Sequence, residues 1–208
     1  MVMDAPSPRP PRRGRPPSTE GPALDRARLV ATLKLMARSG GFDALNIRPV
    51  AQALGVSPRL IYHHVRDKEE MLGLLTDEIL SGRMPDLSAP DWESRLRSIA
   101  RTVQLAYRDF PGSAVFILSR SANQLTQPNA ALIRHAIFDA FEQAGLTQQQ
   151  SQEMLVIFSV VILGNVVVAE SLDENDARLA MQRNVVEAAF ARSTDMLLDT
   201  ILATVAKA

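Results

Sequence analysis

With 208 residues, 46% of them hydrophobic and 22% charged, the chain has the make-up of a soluble globular protein and room for one large domain or two small ones. It has no cysteine, which excludes a disulfide framework, thiolate metal ligation and a cysteine nucleophile and fits the cytoplasm, while an aromatic share of 5% leaves any core to Leu, Val, Ile, Ala and Met. The net charge of zero hides a basic front: residues 1–75 hold 12 Lys/Arg against 7 Asp/Glu, and residues 76–208 hold 11 against 16, so the front suits a polyanion.

Prolines and arginines fill positions 6 to 17, where the apolar stretch of a secretory signal would have to lie, so no signal is expected. Residues 1–21 lack apolar periodicity and are predicted to be a disordered basic arm. Within it, Arg12–Arg13–Gly14–Arg15–Pro16–Pro17 resembles an AT-hook. A narrow A·T minor groove concentrates negative potential, and Gly14 allows close approach, which makes Arg13 and Arg15 candidate contacts with Arg9 and Arg12 beside them. A solvated basic linker is the other reading of the same residues.

A helix is predicted to begin near Pro22, with the stripe Leu29, Leu33, Met36 and Ala37, and to stop at Gly40–Gly41. Asn46 is placed to cap a short second helix whose inward face is Val50, Ala51 and Leu54. Gly55 ends it, and Ser57–Pro58 opens a third in the cap and first-turn positions. Asp67 followed by Glu70 is a capping-box-like pair that starts a helix running to about Leu80. Further helices are predicted at about 91–109, 113–121, 128–144, 148–171 and 175–206, jointed at Pro111, Pro128, Gly145 and Asp173, with Thr147 and Gln150 as another capping box. No stretch alternates with period two, so the fold class is all-α, divided into the arm, a head over 22–68 and a body over 69–208.

The residues from Ile47 to Val65 meet the requirements of a helix-turn-helix together. Ala51 is small where two helices cross, Gly55 tolerates positive φ at the corner, and Val50, Leu54, Val56 and Ile61 lock a steep angle. Arg59, Tyr62 and His63 then point away from Ile61 and Val65, where a major groove can receive them. Arg59 suits guanine or phosphate, Tyr62 and Lys68 suit phosphate, and Leu60 suits either a thymine methyl or its own core.

Ala44–Leu45–Asn46–Ile47–Arg48, Ala51–Gln52–Ala53–Leu54–Gly55–Val56–Ser57 and Ile61–Tyr62–His63–His64–Val65–Arg66–Asp67–Lys68–Glu69–Glu70–Met71–Leu72 resemble the tetracycline-repressor (TetR) family. The likeness covers about Leu29 to Leu75; Asp91 through about Ala169, with Trp92 and Leu163–Gly164–Asn165, is more distantly similar to the regulatory half of the tetracycline-repressor branch. The resemblance implies an all-helical homodimer that represses transcription from a palindromic operator and lets go when a small molecule binds. By the same resemblance Arg48, Pro58, Arg59, Leu60, Tyr62, His63, His64 and Lys68 contact DNA, with Asn46 near a phosphate. Where that branch has polar and metal-liganding side chains, this sequence has Met84, Ile99, Val103 and Ile117, so the expected effector is largely apolar and metal-free.

No metal or other cofactor is expected. Adjacent His63 and His64 diverge by ~100° on a helix and cannot share an ion, and His135 is isolated. Candidate effector contacts are Ile99, Val103, Phe116, Phe138 and Phe158, with Arg120 or Asn165 to orient a polar group. The run Leu155 to Ala169 is shorter than the ~20 residues that span a bilayer, so a buried helix and no membrane are expected. Helices 148–171 and 175–206, the latter with Phe190, Leu197, Leu198 and Ile201, are the predicted homodimer seam, monomer core being the alternative. Two rivals remain. An architectural DNA-binding protein would need no effector pocket, and a small helical enzyme would need a nucleophile motif or phosphate loop, neither of which is present, so no enzyme is expected.

Overall fold

Asp25 starts the first helix. Its carboxylate accepts the Arg28 N–H at 2.7 Å, opening α1 (Arg26–Gly40), which buries Leu29, Val30, Leu33 and Ala37. The computed structural model describes residues 24–120, 127–172 and 180–206, and all the regular structure in them is helical. The start predicted near Pro22 therefore moves to Asp25, which supplies the acceptor a helix N-terminus needs; Pro22 itself lies outside the described residues. The basic arm, Arg13 and Arg15 included, lies outside them too.

After a 3₁₀ turn at Phe42–Ala44 come α2 (Ile47–Leu54), α3 (Pro58–Ile61) and α4 (Lys68–Ser81). Asn46 and Ser57 occupy cap positions, but neither side chain makes the capping bond expected of it. Asp67 does cap, accepting from the Glu70 N–H at 2.7 Å. Glu70 does not return the bond to Asp67 as a capping box would; it reaches one residue further, to the Arg66 N–H at 2.5 Å and Nε at 3.0 Å.

The body holds α5 (Trp92–Tyr107), α6 (Ser113–Leu118), α7 (Pro128–Ala144), α8 (Gln148–Glu170) and α9 (Ala180–Val205). α5, α7 and α8 pack mutually, α6 and α9 cover α8, and α4 joins α1 on one side to α7 on the other. α7 has Pro128 in its first turn and no side-chain cap from Gln127. Its free N–H groups are met from another helix: Asp77 of α4, buried at 3% exposure, accepts from the N–H of Asn129 (2.9 Å) and Ala130 (3.0 Å) and from Asn129 Nδ2 (2.9 Å). A carboxylate at a helix N-terminus also meets the positive end of the macrodipole.

The Thr147–Gln150 capping box forms as predicted and starts α8, which runs 23 residues, close to the predicted span of about 148–171. α8 is thereby long and apolar enough by length and composition to cross a membrane, and only 33% of its most apolar stretch is buried. The span is the one predicted, but the expectation of a helix buried on every side is not met within the single chain. Met154, Leu155, Phe158, Ile162, Leu163 and Val166 face the core, while Val156, Ile157, Val160 and Val168 are exposed. In α9 the predicted seam residues Phe190, Leu197, Leu198 and Ile201 are all buried within the single chain, because they cover α8; the apolar residues α9 leaves outside are Val185, Met196 and Leu202.

Candidate functional site: a nucleic-acid interface and the cavity behind it

The corner between α2 and α3 is built by backbone demand. Gly55 sits at φ 67°, ψ 31°, its N–H bonded to Gln52 O and the Val56 N–H to Ala51 O, both at 3.0 Å, the double bond of a Schellman stop. A Cβ at Gly55 would meet nothing within 4 Å, so the left-handed φ alone calls for glycine there. Arg28 on α1 donates through Nη2 to Leu54 O at 2.9 Å, satisfying a further carbonyl at the end of α2. Val50, Ala51, Leu54, Ile61 and Val65 are buried together and fix the angle between the two helices.

α3 is one turn long and continues as turns through His64, anchored by Ile61 and Val65. That leaves Pro58, Arg59, Tyr62 and His63 exposed as one patch, Tyr62 at 54%, with Asn46 and Arg48 exposed at the start of α2. Leu60 is half-buried against the core. His64 turns inward: Nε2 lies 3.1 Å from Leu24 O, and since a carbonyl only accepts, the ring is the donor there. Lys68 lines a groove between head and body with Phe42, Glu69 and Phe116. Arg28 and the inward bond of His64 escaped sequence reasoning because both depend on chain pairs 26 and 40 residues apart.

Behind α4 lies an apolar cavity of about 110 Å³. Ile99, Val103 and Phe158 line it as the sequence predicts, joined by Thr76 and Leu80 of α4, Tyr107 of α5, Arg134 of α7 and Ser159 of α8. Four other candidates are outside its walls. Phe116 packs against Phe42 with the rings tilted by 45° and their centroids 5.8 Å apart, and Arg120 lies 4.4 Å over Phe116 while pairing with Glu69 at 2.5 Å. Asn165 Nδ2 donates back to Val161 O within α8 (2.5 Å) and across to Ser193 Oγ of α9 (3.3 Å), and Phe138 is half-buried against the main core. Tyr107 was missed, although a tyrosine in a chain with two is a signal in itself. Its O–H donates to Thr76 O at 3.2 Å; burial, reinforced by the Asp77 carboxylate, pushes its ionisation far above the ordinary phenol range and keeps it neutral.

Head and body also meet at the α5–α6 turn. The Phe42 N–H donates to Pro111 O at 2.8 Å, and the next residue, Gly112, donates its N–H to Glu170 Oε2 at 3.0 Å. Burial raises the Glu170 pKa, and the Gly112 bond lowers it part of the way back.

Residues 29–75 match the family model described as bacterial regulatory proteins, tetR family. The chain is 30% identical over 138 residues to the HTH-type transcriptional repressor Rv1353c of Mycobacterium tuberculosis, a stretch covering 64% of this chain and 52% of the relative, so it spans about half the length of the first curated relatives it matches. Among solved structures it is similar to Mycobacterium smegmatis BioQ (21% identity, 86% of this chain and 99% of that one, TM-score 0.74), and a BioQ structure with its double-stranded DNA operator matches with a TM-score of 0.70. It is also similar to Streptomyces coelicolor ActR in complex with (S)-DNPA (18% identity, 88% and 100% coverage, TM-score 0.72).

Proposed function

We propose that this chain, whose residues 29–75 match the model of bacterial regulatory proteins, tetR family, is a transcriptional repressor that binds a palindromic operator as a homodimer and is released by a small, largely apolar effector. The observation that carries the reading is the glycine corner: Ala51, Gly55 and Ile61 hold Arg59, Tyr62 and His63 together in solvent along α3 and the turns that follow it. Arg59 reads a base edge or phosphate, Tyr62, Arg48 and Lys68 hold phosphates, and Pro58, Leu60, His63 and Asn46 complete the contact. His64 serves more as a strut, tying the chain at Leu24 to the reading element. Arg13 and Arg15 enter an adjacent minor groove from that tied point.

The second copy docks on the exposed apolar stripe of α8 and α9, where Ile157, Val160 and Met196 lie uncovered. A membrane is the other way to cover such a stripe; the opposite face of α8 is already packed in the body, which favours a protein partner. Two copies present two heads about 34–36 Å apart, one turn of DNA. The effector occupies the cavity, and α4 is the lever, since Thr76 and Leu80 form part of its wall while the Asp67-capped end carries the head. Emptying the operator this way takes about 5.5 kcal/mol of differential affinity between the two head spacings. An architectural DNA-binding protein has no use for the cavity, and that disfavours it.

Selection from a random DNA pool by the full chain tests the reading. The expected outcome is a two-fold-symmetric sequence with half-sites about 10 base pairs apart, bound two chains per site. Recovery of unrelated sequences with equal affinity overturns it.

A further inference from the structure

The hydroxyl groups around the cavity determine what it can hold. Three line it, on Thr76, Tyr107 and Ser159. Thr76 Oγ1 donates to Gly73 O at 2.8 Å, Ser159 Oγ to Leu155 O at 2.8 Å, and Tyr107 Oη to Thr76 O at 3.2 Å. A carbonyl oxygen cannot donate, so in each bond the proton belongs to the hydroxyl and points into the protein. While those bonds are kept, each hydroxyl offers a guest its lone pairs alone and accepts. The phenol of Tyr107, neutral through its burial, is no exception.

A guest must therefore bring the donor. An ammonium would bring one, but the remaining walls are largely aliphatic and aromatic, where a cation is costly to desolvate, and Arg134 in the same lining repels it. A neutral hydroxyl meets the acceptors without that cost. Size narrows the class further, since an apolar cavity of roughly 150 Å³ holds benzene. At about 110 Å³ this one is smaller still, so a single ring already fills it, and a substituted ring presses on Thr76 and Leu80 of α4.

We propose that the cavity is a site for a neutral, single-ring molecule carrying a hydroxyl group, bound with that hydroxyl inward and donating to the side-chain oxygen of Thr76 or Ser159. The inference rests on the reading of the body as an effector domain and adds the chemical class of the effector. The guest's ring lies against Phe158 and Ile99, and an acceptor at its outer end faces the Arg134 guanidinium.

The test titrates the full chain by calorimetry with 4-ethylphenol, its methyl ether 4-ethylanisole, and 4-ethylbenzylamine as the cation. The phenol is expected to bind about tenfold or more tighter than the ether, because the ether leaves the buried acceptors unmet, and the amine is expected not to bind. The double variant Thr76→Val, Ser159→Ala should bring phenol and ether to nearly equal affinity while leaving the ether's own affinity within about threefold, which also reports that the variant is folded. Phe158→Trp, which fills the cavity, should abolish both. The inference is overturned if the ether matches the phenol, if the preference survives the double variant, or if Phe158→Trp binds as well as the parent. A chain that binds no probe yet holds its selected DNA loses this effector class and keeps the DNA-binding reading; one that binds the phenol and no DNA does the reverse.

Discussion

Replacing Asp77 tests how the lever is joined to the body. Asp77→Ala removes the acceptor for two backbone N–H groups and one amide at the start of α7, at distances of 2.9 to 3.0 Å, and no side chain of α7 itself replaces it. A hydrogen bond to a charged group contributes about 1.5–3 kcal/mol, and a lost cap alone costs ~1 kcal/mol. The three bonds share one carboxylate and do not add in full, so the expected loss is about 3–4 kcal/mol. Asp77→Asn keeps one oxygen for both backbone donors and needs only a flipped Asn129 amide, so it should cost about 1 kcal/mol. Urea unfolding followed by circular dichroism at fixed protein concentration gives both numbers. An alanine variant within about 0.5 kcal/mol of the parent, or an asparagine variant as damaged as the alanine one, would refute the idea that one helix caps another here.

Gly55→Ala should cost about 1 kcal/mol in the same assay, from the left-handed φ of 67° alone, because its Cβ enters open space; a loss several times larger would mean that contact, not conformation, demands the glycine. Glu170 holds its proton more tightly folded than unfolded, since burial raises its pKa and the Gly112 bond offsets only part of that. Its contribution to stability is therefore present below the ordinary glutamate range and is lost as pH rises through the raised folded value. Glu170→Gln should flatten the fall in stability as pH rises above the ordinary glutamate range, and an unchanged slope would count against the assignment. Val160→Glu on the exposed stripe of α8 should give a folded monomer by sedimentation, whereas a persisting dimer would place the seam elsewhere.

What could be read in advance divides by distance along the chain. The α2–α3 corner depends on residues within about twenty positions, so Ala51, Gly55, Pro58 and Ile61 announce it by spacing, and Thr147 with Gln150 announces α8 in the same way. Asp77 caps a helix that begins more than fifty residues later, and no local pattern marks it. The seam residues of α9 have the right periodicity, but periodicity does not say whether the neighbour is α8 of the same chain or a second copy; Leu198 and Ile201 belong to the first. Apolar helix positions Ile99, Val103 and Phe158 were legible as cavity lining, whereas Phe116, Arg120 and Asn165 are claimed by Phe42, Glu69 and Ser193 from distant segments.

The account turns on Arg59 being held outward by the glycine corner to read DNA. Fluorescence anisotropy of the full chain on its selected operator, parent against Arg59→Ala, measures this directly. The variant should bind the operator about 1–3 kcal/mol more weakly and discriminate less at one position of each half-site, with its fold and dimerisation unchanged. Equal affinity and equal sequence preference in the two proteins would contradict it.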